Sequence, residues 1–532
     1  MTLNKIRYIL FICIGIASGL AVIYLFSSYA YVPVNPDAGY TIPISEQVLN
    51  GATPTVDVKT LHAPGVYYIY ALWMKVFGSD YTTLLLLIYI VNAANSILLY
   101  LILSNFLQQK ILKIMICFSY YYSIMLMGGT SIELEPFQII FILLAYLVYL
   151  RKLPYILKHI LIGLFIGCSI MFKQYSILVL SGFLIMFWLD LRGKEDKIQI
   201  LKKMCITLIF ALIPFLTFVL FTKASLSGSL YSFGLLGSAG ISYVTAEQLG
   251  GMEWASRIIM SIVVRIWLFV PFFIYTVIIF IRSDYFEFNS NLVPLFVFSC
   301  LPLVVRQYGH YFQLIAPWSY LILGVLLKRP ADEIRKDYID TPYFLVSIFI
   351  CFFILLPFFL IIVPPVYYHE SPGLRRSMLL FPITIISIIT WGIYYSGYKF
   401  NLNTILTVLS LTLFLVTLFF SLKMPFNEMR TQKIMQLREA EEINKIFPEG
   451  SRVHVIDYPQ LNVTCRFQNP LHDYWFPLNK RSQNLNWKEI DNVIIKKENP
   501  YISSQRLAEL GYDEIETNSQ MDVALFKKAY SR

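Results

Sequence analysis

The sequence predicts a polytopic α-helical membrane protein with a small α/β domain outside the membrane. Three observations predict it. Of 532 residues, 57% are hydrophobic and only 14% charged, whereas soluble domains carry charge on about a quarter of their residues. Apolar runs long enough to cross about 30 Å of hydrocarbon recur roughly thirteen times up to residue 422. From residue 423 charge and Asn rise, and the apolar runs shorten to strand length.

The spans fall near 8–30, 82–104, 110–127, 133–150, 156–172, 174–190, 204–223, 258–281, 291–305, 311–327, 343–364, 377–397 and 402–422. The first follows a short basic start, Met1 to Arg7, as a signal peptide would. Its apolar run is too long and no small-residue cleavage site ends it, so it reads as a retained helix. With the N-terminus in the cytoplasm, the inner segments hold eighteen Lys and Arg against eight outside. That asymmetry satisfies the positive-inside rule. An odd number of spans then places the tail outside the cytoplasm.

Two outer loops are long. In loop 31–81, residues 43–50 form a short helix stopped by Asn50-Gly51. Residues 64–78 start with Pro and end with Gly, as a helix should. Tyr67, Tyr68, Tyr70, Trp73 and Phe77 give this helix the aromatic content of a membrane interface. Loop 224–257 is rich in Gly and Ser, which predicts a mobile, lid-like segment. In the tail, 431–447 has helical spacing, 452–457, 492–496 and 522–527 read as strands, and 503–510 as a helix. The division is therefore 1–422 within and beside the membrane, and 423–532 outside it. The tail has no phosphate-binding Gly loop.

The net charge of +10 does not signal a nucleic-acid partner, because the basic residues sit mainly in short loops between spans. The seven cysteines are scattered without a CxxC pair, so no disulfide framework or zinc site is indicated.

Polar residues gather at the outward ends of the spans. Asp37 and Tyr40 lie in Asn35-Pro36-Asp37-Ala38-Gly39-Tyr40, just after the first span. A carboxylate at that boundary is either a functional group or the acidic cap of an interfacial helix. His62-Ala63-Pro64-Gly65 follows in the same loop, and Glu133 and Glu135 lie just inside the fourth span. Lys173-Gln174-Tyr175 makes the turn between spans five and six, and Arg306-Gln307-Tyr308-Gly309-His310-Tyr311 joins spans nine and ten. Arg265 lies about two turns into span eight. Each has an ordinary reading: Lys173 as a snorkelling turn residue, His310 as an interfacial histidine, Arg265 as a partner of Glu133 or Glu135, and the glutamates as caps. Their convergence on one surface is what points to a site. A lipid-phosphate donor suits it. The tail needs an apolar groove, the leaving phosphate needs Lys or Arg, and an acceptor hydroxyl needs a carboxylate base.

These motifs in this order resemble the GT-C-fold glycosyltransferases, in particular the bacterial protein O-mannosyltransferase-like group that includes the aminoarabinose transferases. The resemblance rests on Asp37-Ala38-Gly39-Tyr40, Leu49-Asn50-Gly51, His62-Ala63-Pro64-Gly65-Val66-Tyr67-Tyr68, Val76-Phe77-Gly78, Met171-Phe172-Lys173-Gln174 and Gly309-His310-Tyr311-Phe312 with Pro317. It covers the membrane part and extends loosely into the tail. It implies an inverting enzyme that uses a polyprenyl-phosphate sugar, of undecaprenyl-phosphate type, with Asp37 as catalytic base. It further implies that Lys173, with Arg265 and Arg306, contacts the donor phosphate. Tyr40, His62, Glu133, Glu135, Gln174, Tyr175, His310 and Tyr311 are then site-proximal. The acceptor would be a lipid, polysaccharide or protein of the cell envelope, met on the outer face of the cytoplasmic membrane. No cofactor is predicted and no metal ligands are assigned, with a divalent metal left open. Two departures are visible: Ala38 follows Asp37 where eukaryotic protein mannosyltransferases have a second acid, and His62-Ala63 stands where some relatives carry Glu-Lys. The competing readings are a flippase of lipid-linked sugars and an O-antigen polymerase or ligase. The first predicts internal repeats and midplane charge, and the second predicts arginines in large outer loops.

Overall fold

The computed structural model describes residues 32–58, 60, 62–108, 110–124, 127, 129, 131–189, 197–222, 226, 262, 268–269, 272, 292–305, 309–327, 426–448, 451–456, 461–465, 491–496, 504–515 and 523–529. The expected spans at 8–30, 343–364, 377–397 and 402–422 lie outside the described residues, as do most of 258–281 and nearly all of loop 224–257.

The segment 31–81 contributes α1 (Pro36–Leu49) and α2 (Gly65–Phe77). The expected helix at 43–50 begins seven residues earlier. Asn35 caps it, its side chain accepting from the Ala38 N–H at 3.1 Å, and Pro36 occupies the first turn, where its missing N–H costs nothing. Asp37 is therefore not the cap. It sits in the first turn, where the helix dipole favours an anion. Pro43 lies inside the helix. α2 follows the expected range and ends at Gly78, whose φ of +85° favours glycine.

The bundle follows as α3 (Tyr81–Leu103), α4 (Lys110–Ile124), α5 (Glu135–Leu150), α6 (Tyr155–Ile170), α7 (Ser176–Leu189), α8 (Lys197–Thr222), α9 (Leu292–Val305) and α10 (Phe312–Leu327), the last preceded by a 3₁₀ turn at Gly309–Tyr311. Among the described residues, α3 and α8, with 23 and 26 residues, are long and apolar enough to cross a membrane. α5, α6, α7 and the apolar parts of α9 and α10 are shorter. α8 starts seven residues before the expected span and exposes Ile209, Leu212, Leu216, Leu220 and Phe221. In water such a face would be an aggregation liability; against hydrocarbon it is stable. α6 and α8 pack closely because a Cβ on Gly163 or Gly167 would lie 2.5 or 2.4 Å from the Thr207 or Ala211 carbonyl. This small-xxx-small spacing lets two helix backbones approach. One large apolar core joins α3 to α10, and Trp318 and Tyr320 are fully buried in it.

The tail holds α11 (Phe426–Ile446), β1 (Val453–Ile456), α12 (Leu461–Thr464), β2 (Asn492–Lys496), α13 (Ser504–Glu509), β3 (Tyr512–Ile515) and β4 (Val523–Lys528). The sheet order is β1-β2-β4-β3. β1 pairs parallel with β2, and β4 runs antiparallel to both of its neighbours. Alternate strand residues face opposite sides. Ile494, Val523 and Leu525 pack on Ala440, Ile443 and Phe447, while Val493, Ile495, Ala524 and Phe526 pack on Leu507 and Tyr512. β3 and α12 are elements that the sequence pattern did not predict.

Candidate active site at one end of the bundle

The site is built where three chain reversals meet. The strongest local tie is between two of the motifs read from sequence. The Gly65 N–H donates to the Met171 carbonyl at 2.8 Å, and a Cβ on Gly65 would stand 2.6 Å from that oxygen. The start of α2 therefore lies directly on the turn that carries Lys173. Ala63 packs with Met171 and Phe218 in the same contact.

Lys173 is buried and paired with Glu135, the first residue of α5. Its ammonium lies 4.6 Å from the centre of the Tyr311 ring, a cation–π contact. Tyr311 meets Tyr175 edge-on at 5.2 Å and His310 at 4.5 Å between ring centres. The His310 Nδ1 is 3.7 Å from Glu133 Oε2, and its Nε2 is 3.6 Å from Glu135 Oε1. The Ser131 hydroxyl donates to Glu133 Oε1 at 3.2 Å. Glu133 precedes α5 instead of lying within it, while Glu135 is the helix's first residue and pairs with Lys173.

Asp37 is half-buried at the start of α1 and close enough to act electrostatically on Glu133 and on the Tyr67 hydroxyl. Tyr67 is also hydrogen-bonded by Thr60 and by the His62 backbone. Burial, reinforced by the Asp37 charge, holds its phenol far above its ordinary pKa, so it is a neutral hydroxyl. His62 enters through its backbone, its carbonyl accepting from the Thr60 hydroxyl at 3.1 Å. Tyr40 is half-buried and packs against the α1–α2 core. Gln174 is half-buried in the Lys173 turn, its Oε1 without a hydrogen-bond partner among the described residues. Arg265 and Arg306 lie outside the described residues.

Several contributors were not legible in the sequence. Tyr70 is fully buried, and burial with nearby Glu133, Tyr81 and Glu135 raises its phenol pKa well above normal. Gln138 donates to the Ser176 hydroxyl at 2.7 Å and accepts, through its carbonyl, from Ser169 at 2.9 Å. Ser169 and Ser176 flank Lys173, and Gln138 lies three residues beyond Glu135. The spacing held that signal, because residues three or four apart share a helix face.

Chemically, the cluster gathers three carboxylates, one lysine and a histidine around a buried surface. Glu133, Glu135 and His310 offer ligand atoms within 4.8 Å of one another, the donor types of a divalent-cation site. The Lys173 ammonium already supplies a positive charge to Glu135 there.

No family model matches the sequence, and no curated protein matches it. Solved structures do match. ArnT from Cupriavidus metallidurans in the apo state aligns with a TM-score of 0.57 at 10% identity, covering 99% of this chain and 98% of that one. The same protein bound to undecaprenyl phosphate aligns at 0.54 and 11% identity, covering 98% and 97%. At this identity the likeness shows the fold, and over nearly its whole length the chain has the ArnT-like fold of the GT-C type.

Proposed function

We propose that the protein is an inverting glycosyltransferase that moves a sugar from a polyprenyl-phosphate donor to a cell-envelope acceptor on the outer face of the cytoplasmic membrane. The observation that carries this reading is the end-to-end likeness to a protein solved with undecaprenyl phosphate bound. The polar cluster at one end of the bundle supports it. Residues 1–422 then form the catalytic membrane part and 423–532 an extracytoplasmic α/β unit.

In this reading Asp37 takes the proton of the acceptor hydroxyl as that oxygen attacks the anomeric carbon from the face opposite the phosphate. The bond from that carbon to the phosphate oxygen breaks, its electron pair stays with the phosphate, and polyprenyl phosphate leaves with one more negative charge. Lys173 is assigned the neutralisation of that developing charge, a role its burial in the polar cluster supports. Arg265 and Arg306 are assigned the same role on their sequence positions. The apolar helices hold the lipid tail, and His310, Tyr311 and Tyr175 wall the site around the cation.

Glycan and lipid profiling of a deletion strain against wild type tests the function. Loss of one sugar linkage, restored by the wild-type chain and not by Asp37→Asn, is the expected result. An unchanged profile rejects the reading.

A further inference from the structure

The segment carrying Asp37 is gripped on both sides by side chains from the tail. The Val34 N–H donates to Gln436 Oε1 at 3.0 Å, and Gln436 Nε2 donates to the Val34 carbonyl at 3.1 Å. One amide thus satisfies both polar groups of one backbone residue. Five residues later, Asn462 Nδ2 donates to the Gly39 carbonyl at 3.4 Å.

The second contact has a cause within α1. A helical carbonyl receives the N–H of the residue four positions on. For Gly39 that residue is Pro43, which has no N–H. The helix itself leaves this oxygen without a donor, and Asn462, only 5% exposed, supplies one. A third tie runs through Pro33, whose carbonyl accepts from the Tyr81 hydroxyl at 2.8 Å, while Lys433 of α11 lies 4.6 Å from the Tyr81 ring centre.

We infer that Gln436 and Asn462 are positioning residues for the transfer site, through which the tail holds the first turn of α1. The inference rests on the reading of Asp37 as the base. Asp37 is the second residue of its helix, where the backbone lacks intrahelical partners and frays. A general base works only within hydrogen-bond reach of its proton, and displacement by about 1 Å costs on the order of 100-fold in rate. The residues held at 34 and 39 bracket Asp37 and fix where its carboxylate stands.

The test uses the full chain, with Gln436→Leu, Asn462→Ala, Pro43→Ala and the Pro43→Ala/Asn462→Ala double variant. Amide hydrogen exchange over residues 32–42 is read beside the rate of forming the linkage lost in the deletion strain. Affinity for undecaprenyl phosphate is measured as a control. Gln436→Leu is expected to speed exchange at Val34 by about 10-fold. It is expected to slow transfer by about 10- to 100-fold while leaving lipid affinity within about threefold. Asn462→Ala is expected to slow transfer in the Pro43 background and not in the Pro43→Ala background, where residue 43 regains its N–H. Unchanged exchange, or faster exchange with unchanged transfer, overturns the inference. If Asp37→Asn still transfers sugar while Gln436→Leu loosens the segment, the base assignment falls and the grip of the tail on α1 stands.

Discussion

The Lys173 ammonium sits on Glu135 Oε1 with both side chains buried, 7% and 1% exposed, and the same ammonium faces the Tyr311 ring. The buried ammonium of the cluster is therefore already paired with a carboxylate. In the proposed reaction the donor phosphate competes with Glu135 for that ammonium, and His310 Nε2 stands 3.6 Å from Glu135 Oε1. Burial makes the two charges depend on each other, because loss of either partner leaves the other uncompensated away from water.

Removing one member of that pair strands a buried charge. Glu135→Gln and Lys173→Met are each expected to cost about 3–5 kcal/mol, and the double variant clearly less than their sum. Thermal unfolding midpoints in detergent check the coupling. Additive losses would show that the pair is not coupled in the folded protein.

Lys173→Ala is also expected to weaken binding of undecaprenyl phosphate by at least about 10-fold, since a charge-assisted contact contributes more than about 1.5 kcal/mol. Equilibrium binding by the purified chain measures it. Wild-type affinity in the variant would remove Lys173 from the donor site.

Asp37→Asn keeps the size and first-turn position of the side chain and removes its ability to take a proton. Transfer is expected to fall by about 100-fold or more, with thermal stability and lipid affinity close to wild type. Turnover near wild type would exclude Asp37 as the base.

Gly65→Ala places a methyl group 2.6 Å from a backbone oxygen that cannot swing away. It is expected to cost about 1–3 kcal/mol and to slow transfer, because it pushes the start of α2 off the Lys173 turn. Ala at Gly51, where a Cβ meets nothing within 4 Å, is the control for glycine loss at a site without packing. Its φ of +99° confines the cost there to local backbone strain.

Cys465 is buried between α11 and the sheet, and burial pushes its thiol up to about 12. A raised thiol pKa leaves little thiolate below that pH, and the thiolate is the reactive form. Maleimide at pH 8 is expected to label Cys465 only after denaturation. Rapid labelling of the native chain, located by peptide mapping, would contradict the packing of α12 on α11.

The sequence by itself determined what local pattern can report. Long apolar runs placed α3 to α10 within a few residues of their observed limits, because helix formation there follows from continuous hydrophobicity. The exception is the start of α8, which lies seven residues earlier in a charged stretch. Pro64 and Gly78 bracketed α2, because their backbone preferences act on the spot. Valine and isoleucine at 493–495 marked β2 for the same reason. The polar motifs stood out against apolar surroundings, and Lys173, Glu133, Glu135, His310 and Tyr311 from those motifs meet in the structure. What only tertiary structure decided is how distant residues complete one another. Pro43 looked like the start of a helix, yet α1 begins at Pro36, with Asn35 capping it and Asn462, 423 positions from Gly39, donating to the carbonyl that Pro43 leaves open. β3, with its charged Asp513 and Glu514, becomes a strand because β4 offers it a hydrogen-bonding edge. Glu135 was expected as a cap or an arginine partner and is the partner of Lys173, 38 residues away. Local periodicity reports which residues are buried; which buried charge meets which is set by the packing of whole helices.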